Sequence, residues 1–111
     1  MMKQREIYQA YLDPYVGSEQ AVNRLVVIIS GKAVNDNAQT LIICPLTTNL
    51  KNNYGDVLVK PDERNGLKQE SEILNIHMRF ISKKRLKNKN FFITKKELAK
   101  TIESINYILK F

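Results

Sequence analysis

Two short apolar runs, Leu25-Val26-Val27-Ile28-Ile29-Ser30 and Leu41-Ile42-Ile43-Cys44-Pro45-Leu46, stand close together, with 31–40 between them. Both are rich in β-branched residues and bounded by turn formers, so each reads as a buried strand, not a helix. The connection carries Asn35-Asp36-Asn37, which is turn chemistry. An antiparallel hairpin about that turn makes the position numbers of facing residues add to about 71. Ser30 then stands opposite Leu41, and Arg24 opposite Thr47. A slip of one residue would turn one of the last two to the wrong face, so this is an expectation about register.

That register brings specific chemistry together. The segment from Gly17 through Ser18, Glu19 and Gln20 leads up to Arg24, where the sheet is expected to begin. A guanidinium with a fixed base and an open front suits a doubly charged oxyanion such as a phosphate. The second apolar run ends in Thr47-Thr48-Asn49, which offers hydroxyls and an amide.

Around this pair the pattern is mainly β. Ile7 to Leu12 reads as a first strand, and Asp13-Pro14 opens a long loop to Asn23. Asp56 to Val59 is a further strand, and Asp62 to Gly66 a turn in which Asn65-Gly66 tolerates positive φ. Glu72 to Ile76 enters a fifth strand that continues to Ile81, and Ser82 to Lys89 reads as a short helical turn. Thr94 and Glu97 have capping-box spacing, and Leu98, Ile102, Ile105 and Leu109 form one stripe of a C-terminal helix, facing core or a dimer contact. Five short strands and one helix predict a small, strongly bent sheet or barrel. With 111 residues and no internal repeat, one domain spanning 1–111 is expected.

Composition narrows the function. Apolar content of 43% and charged content of 26% are those of an ordinary globule. No apolar run approaches the roughly 18 residues of a membrane span. The N-terminus has no signal-like hydrophobic region and a single cysteine allows no internal disulfide, so cytoplasmic residence is expected and no membrane partner. Net charge is +7, and all of the surplus lies in residues 73–96: Arg79, Lys83, Lys84, Arg85, Lys87, Lys89, Lys95 and Lys96, with no acidic residue among them. Such a stretch suits a polyanion, whether RNA or an acidic peptide. His77 and Cys44 are the only residues of their types and the carboxylates lack ligand spacing, so neither a metal site nor a cofactor is expected. Cys44 reads as a buried small hydrophobe.

Taken in order, these segments resemble the MazF/PemK family of toxin endoribonucleases. The resemblance is carried by Gly17-Ser18-Glu19-Gln20, then Arg24 with the following apolar strand, then Pro45-Leu46-Thr47-Thr48. Later landmarks are Gly66-Leu67, Ser71, His77-Met78-Arg79-Phe80-Ile81 and Arg85-Leu86. It implies an SH3-like barrel of the CcdB/PemK/MazF kind with a C-terminal α-helix. It also implies a homodimeric, metal-independent ribonuclease acting on single-stranded RNA, inhibited by an antitoxin whose acidic C-terminal tail lies along the RNA groove. Arg24 and Thr47 match the family's catalytic arginine and threonine. Three positions depart from the pattern: Leu25 stands where proline is usual, Val22 where glycine is frequent, and His77 where glutamine is common.

On that resemblance, the substrate's own 2′-hydroxyl is the nucleophile. Arg24 then binds the scissile phosphate and stabilises the charge that grows on it, while Thr47 hydrogen-bonds a phosphate oxygen. Ser18, Glu19, Gln20, Thr48, His77 and Arg79 are the expected RNA contacts, with Glu19 acting either as base or as a reader of base edges. For His77 a structural or RNA-contact role outweighs catalysis. Two alternatives stay open: a CcdB-like toxin that acts by binding protein, and a weakened relative that only binds antitoxin.

Overall fold

The run beginning at Leu25 forms a strand buried on both faces, and this organises the molecule. The computed structural model describes residues 2–12 and 22–110. Among these, seven strands form: β1 (Glu6–Leu12), β2 (Val22–Ile28), β3 (Thr40–Thr47), β4 (Val57–Val59), β5 (Ser71–Ile73), β6 (Arg79–Ser82) and β7 (Leu86–Phe92). Helix α1 (Lys32–Asn37) joins β2 to β3, and α2 (Lys95–Ile108) follows β7. One antiparallel sheet has the order β4-β5-β3-β2-β1-β7, with β6 also lying against β3. The result is a curled, mainly β fold with a C-terminal helix, as the strand pattern predicts.

Alternate residues of β2 and β3 supply two cores. Val27, Ile29, Cys44 and Leu46 join Ile7, Ile73 and Ile93, and this cluster is covered by Leu98 and Ile105 of α2. Val26, Ile28, Leu41 and Ile43 join Tyr8, Ala10, Leu12, Ile81 and Leu86. Val26, Val27 and Ile28 are wholly inaccessible, and burying each contributes about 1.5–3 kcal/mol. A strand loaded on both faces reads as a continuous apolar run, which is how it appears in the sequence.

The β2–β3 register is the expected one. Val26 pairs with Pro45, Val27 with Cys44 and Ile28 with Ile43, each pair adding to 71. The connection is different, because 32–37 is a short helix and not a tight turn. Asn35 turns inward from it: its Nδ2 donates to the Ser30 carbonyl at 2.7 Å, and Ser30 Oγ donates to its Oδ1. The same hydroxyl accepts from the Ile42 N–H at 3.1 Å. The helix is thereby stitched to both strands and leaves their register intact.

Pro45 explains why the expected fifth strand is two. The start of β3 pairs with β6, from Thr40–Ser82 to Ile43–Arg79. Its end pairs on the same edge with β5, through Leu46–Ile73 and Thr47–Glu72. Pro45 stands between the two ladders, and its carbonyl accepts from the Leu74 N–H at 2.9 Å. In an extended strand a residue's N and C=O face the same way, so the missing proline N–H points at the break, where no ladder bond is lost. A single 3-10 turn, Asn75–His77, fills that break.

Two further readings are corrected. The helical turn expected over 82–89 is confined to Lys83–Arg85, and Leu86–Phe92 is an edge strand paired with β1. Its lysines hide its strand pattern, and charge on an edge is how sheets discourage further pairing. In α2 the capping box is present: the Glu97 N–H donates to Thr94 Oγ1 at 3.0 Å, and the Thr94 N–H to Glu97 Oε1 at 2.9 Å. The core-facing line, however, runs Leu98–Thr101–Ile105. Thr101 is fully buried, with its hydroxyl donating to the Glu97 carbonyl, whereas Ile102 and Leu109 are 39% and 67% exposed.

Candidate active site

Arg24 lies inside the sheet and not just before it. β1 runs on to Leu12 and draws Val22 and Asn23 into pairing, so Arg24 is the third residue of β2, opposite Ala10. Val22, standing where the family often has glycine, is ordinary extended strand. Thr47 is the last residue of β3. The β2–β3 pairs end at Val26–Pro45, and Arg24 and Thr47 each stand two residues past it, positions that add to the same 71. Facing residues of an antiparallel pair project to one side.

Both residues line a cavity of about 240 Å³, together with Asn23, Leu25, Leu46, Thr48 and Ser71. Arg24 is half-buried in this wall, and its neighbours there are apolar or uncharged polar side chains. Leu25 and Leu46 form an apolar flank, which lowers the local dielectric and strengthens a cation's pull on an anion. Thr47 is 8% exposed, and its Oγ1 accepts from the Asn49 N–H at 3.1 Å. With that lone pair engaged, the hydroxyl hydrogen is left to donate elsewhere. The wall thus combines the Arg24 guanidinium, an oriented O–H donor and the hydroxyl of Thr48, while the Ser71 hydroxyl is turned to the Gln69 carbonyl, to which it donates at 3.2 Å. A cation beside O–H donors is the chemistry that suits a tetrahedral oxyanion.

The other nominated residues are distributed differently. Thr48 is in the cavity wall; Ser18, Glu19 and Gln20 lie outside the described residues. Arg79 opens β6 opposite Ile43, four residues back along β3 from Thr47, which is about 13 Å at strand rise. His77 ends the 3-10 turn and is exposed, on the side where Asp56 lies. The basic stretch also divides. Lys87 faces Gln9 of β1, next to the Arg24 row, and Arg85 Nη1 donates to the Tyr11 carbonyl at 3.3 Å. Lys83 Nζ is committed to the Asn35 carbonyl. Lys95 and Lys96 begin α2, beyond Phe92, at the opposite end of β1.

Asn23, Leu25, Leu46 and Ser71 were not nominated from sequence. The first three are strand neighbours of Arg24 and Thr47 and follow once the register is known. Ser71, a landmark of the resemblance with no role attached to it, arrives through the β3–β5 pairing, a contact between residues far apart in the chain.

Two ionisable groups lie behind the site. Burial first, then Asp56, pushes the Cys44 thiol up to about 12, and with no exposed surface it behaves as a packed apolar residue. Burial first, then the negative charge of Glu72, raises the Asp56 carboxyl above its ordinary value, partly offset by the Asn75 backbone and His77. Both Asp56 carboxylate oxygens are out of solvent contact and lack a well-formed hydrogen bond. Among the described residues no group of three His, Cys, Asp or Glu gathers as a metal-ligand set.

A family model described as PemK-like, MazF-like toxin of type II toxin-antitoxin system matches residues 3–109. The chain belongs to this family. Its curated relatives include the endoribonuclease EndoA of Bacillus subtilis, 30% identical over 110 residues, covering 98% of this chain and 95% of the relative. Among solved structures, MazF from Deinococcus radiodurans superposes with a TM-score of 0.80 at 20% identity, covering 97% of this chain and 96% of that one. An endoribonuclease in complex with its cognate antitoxin, from a mycobacterial species, gives a TM-score of 0.77 at 15% identity, covering 100% and 99%. At such identities these structures attest the fold. The curled sheet with its C-terminal helix is the MazF fold.

Proposed function

We propose that this MazF-like chain is a toxin that cleaves single-stranded RNA without a metal, using the substrate's own 2′-hydroxyl as nucleophile. That oxygen attacks the adjacent phosphorus and loses its proton, the P–O5′ bond breaks, and the leaving oxygen takes up a proton. The products carry a 2′,3′-cyclic phosphate and a 5′-hydroxyl. Arg24 stabilises the charge that builds on the phosphoryl oxygens, and Thr47 donates a hydrogen bond that fixes their orientation. Thr48 extends the grip on the backbone. The need for a 2′-hydroxyl distinguishes RNA from DNA.

The observation that carries this reading is the cavity common to Arg24 and Thr47; membership in a family with curated endoribonucleases supports the chemistry. Structural likeness to a toxin–antitoxin complex supports an antitoxin partner with an acidic, pliable tail. Among the described residues no helix is long and apolar enough to cross a membrane, and action in the cytoplasm, as a homodimer, completes the proposal.

Incubation with a long single-stranded RNA, followed by mapping of 5′ ends, tests it. Arg24→Ala and Thr47→Ala should each lower the cleavage rate by about 10²–10³, with EDTA without effect. Cleavage of an all-deoxy strand, or loss of activity on chelation, overturns the mechanism. Intact RNA alongside tight antitoxin binding would point to a binding module.

A further inference from the structure

One side chain next to the cavity is out of keeping with its surroundings. Glu72 lies in β5 between Ser71 and Ile73, directly opposite Thr47 in the ladder, and is only 3% exposed. A β-branched apolar residue would serve packing better there, because a buried carboxylate is costly unless fully bonded. Glu72 is bonded, and to one place. Its Oε1 accepts from the Lys51 N–H at 2.6 Å, and its two oxygens accept from the Asn52 N–H at 3.2 and 3.0 Å. Asn52 sits at φ 51, which helps consecutive N–H groups converge on one anion, as in other backbone nests.

The clamped backbone is the segment leaving Thr47 and Thr48. Residues 48–54 are all exposed and belong to no strand or helix. Their ties to the sheet include the Asn49 N–H on Thr47 Oγ1 and the two N–H groups on Glu72. The bond that orients the Thr47 hydroxyl therefore depends on a segment that Glu72 holds. We propose that Glu72 is a positioning residue of the active site: it fixes 49–52 so that Thr47 and Thr48 keep the cavity wall in one geometry. This rests on the reading of that cavity as the RNA-cleaving site.

The experiment is cleavage kinetics on a single-site RNA, paired with amide hydrogen exchange. Glu72→Val should lower kcat about 10–100-fold with KM nearly unchanged, the expected cost of a misplaced group. Glu72→Gln keeps an acceptor oxygen and should retain kcat within about threefold of the wild type. Glu72→Asp keeps the charge but withdraws the oxygens and should lose rate as Glu72→Val does, which preserves the test if the valine variant fails to fold. Thr94→Ala, at the start of α2, should lower Tm without altering kcat. The Lys51 and Asn52 amides should be protected in the wild type and in Glu72→Gln, and exposed in Glu72→Val. Wild-type kcat in Glu72→Val or Glu72→Asp, loss of rate in a folded Glu72→Gln, or unprotected Lys51 and Asn52 amides in the wild type overturns the role of Glu72. A wild type that cleaves no RNA overturns the proposed function itself, and this role with it.

Discussion

Arg24 owes its use to the strand beneath it. A guanidinium on a loop would spread over many rotamers, whereas here its backbone is held by β1 on one side and lies beside β3 on the other. Leu25, at the position where proline is usual, is paired with Gln9 in the β1–β2 ladder, and that pairing restrains its backbone. Asp56 is the residue with the clearest pH signature. Its folded value lies above its ordinary 3.8, so the folded state holds the proton more tightly across that interval. The stabilisation is complete below the unfolded value and is lost as pH rises through the folded one. Asp56→Asn should therefore raise Tm at about pH 7 and flatten the fall in Tm from about pH 4 upward, a trend scanning calorimetry measures. A larger acid-to-neutral fall in the variant than in the wild type would contradict it. Arg24 and Thr47 were legible as a pair because both flank apolar runs of evident register. The place of Ser71 in the wall and the bonds of Glu72 were not, because they depend on partners about twenty residues or more away.

Strands and helices were read well where a pattern was local and poorly where pairing decided it. The Thr94–Glu97 capping box is a four-residue motif, and it forms as expected. Thr94→Ala should cost about 1 kcal/mol, read from urea melts as a shift in midpoint with no change in slope. The edge strand Leu86–Phe92 was missed, since its lysines break the alternation that marks a half-buried strand. The break between β5 and β6 was missed for another reason. Its cause is Pro45, on a different strand, whose absent N–H is tolerable only opposite a gap. The stripe Leu98–Ile102–Ile105–Leu109 predicts one line on α2, whereas the helix buries Thr101, packs partly buried Leu98 and Ile105 on the core and leaves Ile102 and Leu109 outside.

Across the whole molecule, the surplus of +7 is not one surface. Lys87 and Arg85 flank the end of β1 nearest Arg24, Lys95 and Lys96 lie at the other end, and Lys83 is tied to a carbonyl. An RNA gripped at the cavity should thus meet a few cations and not eight. Salt dependence measures this: with three or four phosphate contacts, log Kd against log salt should have a slope of about 2–3 for a single strand. A slope near 5 would mean that the whole basic stretch engages. Fluorescence anisotropy with the Arg24→Ala variant, which should lose about one contact, checks the same count.

Sequence alone determined that the chain is mainly β with a helix at its end, that β2 and β3 pair in one register, and that an arginine and a threonine flank their shared end. These follow from periodicities of two and 3.6 residues and from capping and turn chemistry, all of which act over a few neighbouring positions. Only the tertiary structure decided which hydroxyls complete the cavity, where β3 changes partners, and that a buried carboxylate restrains the segment behind Thr47. Those outcomes are set by distant strands meeting, and a linear pattern carries no record of which strand will lie beside which.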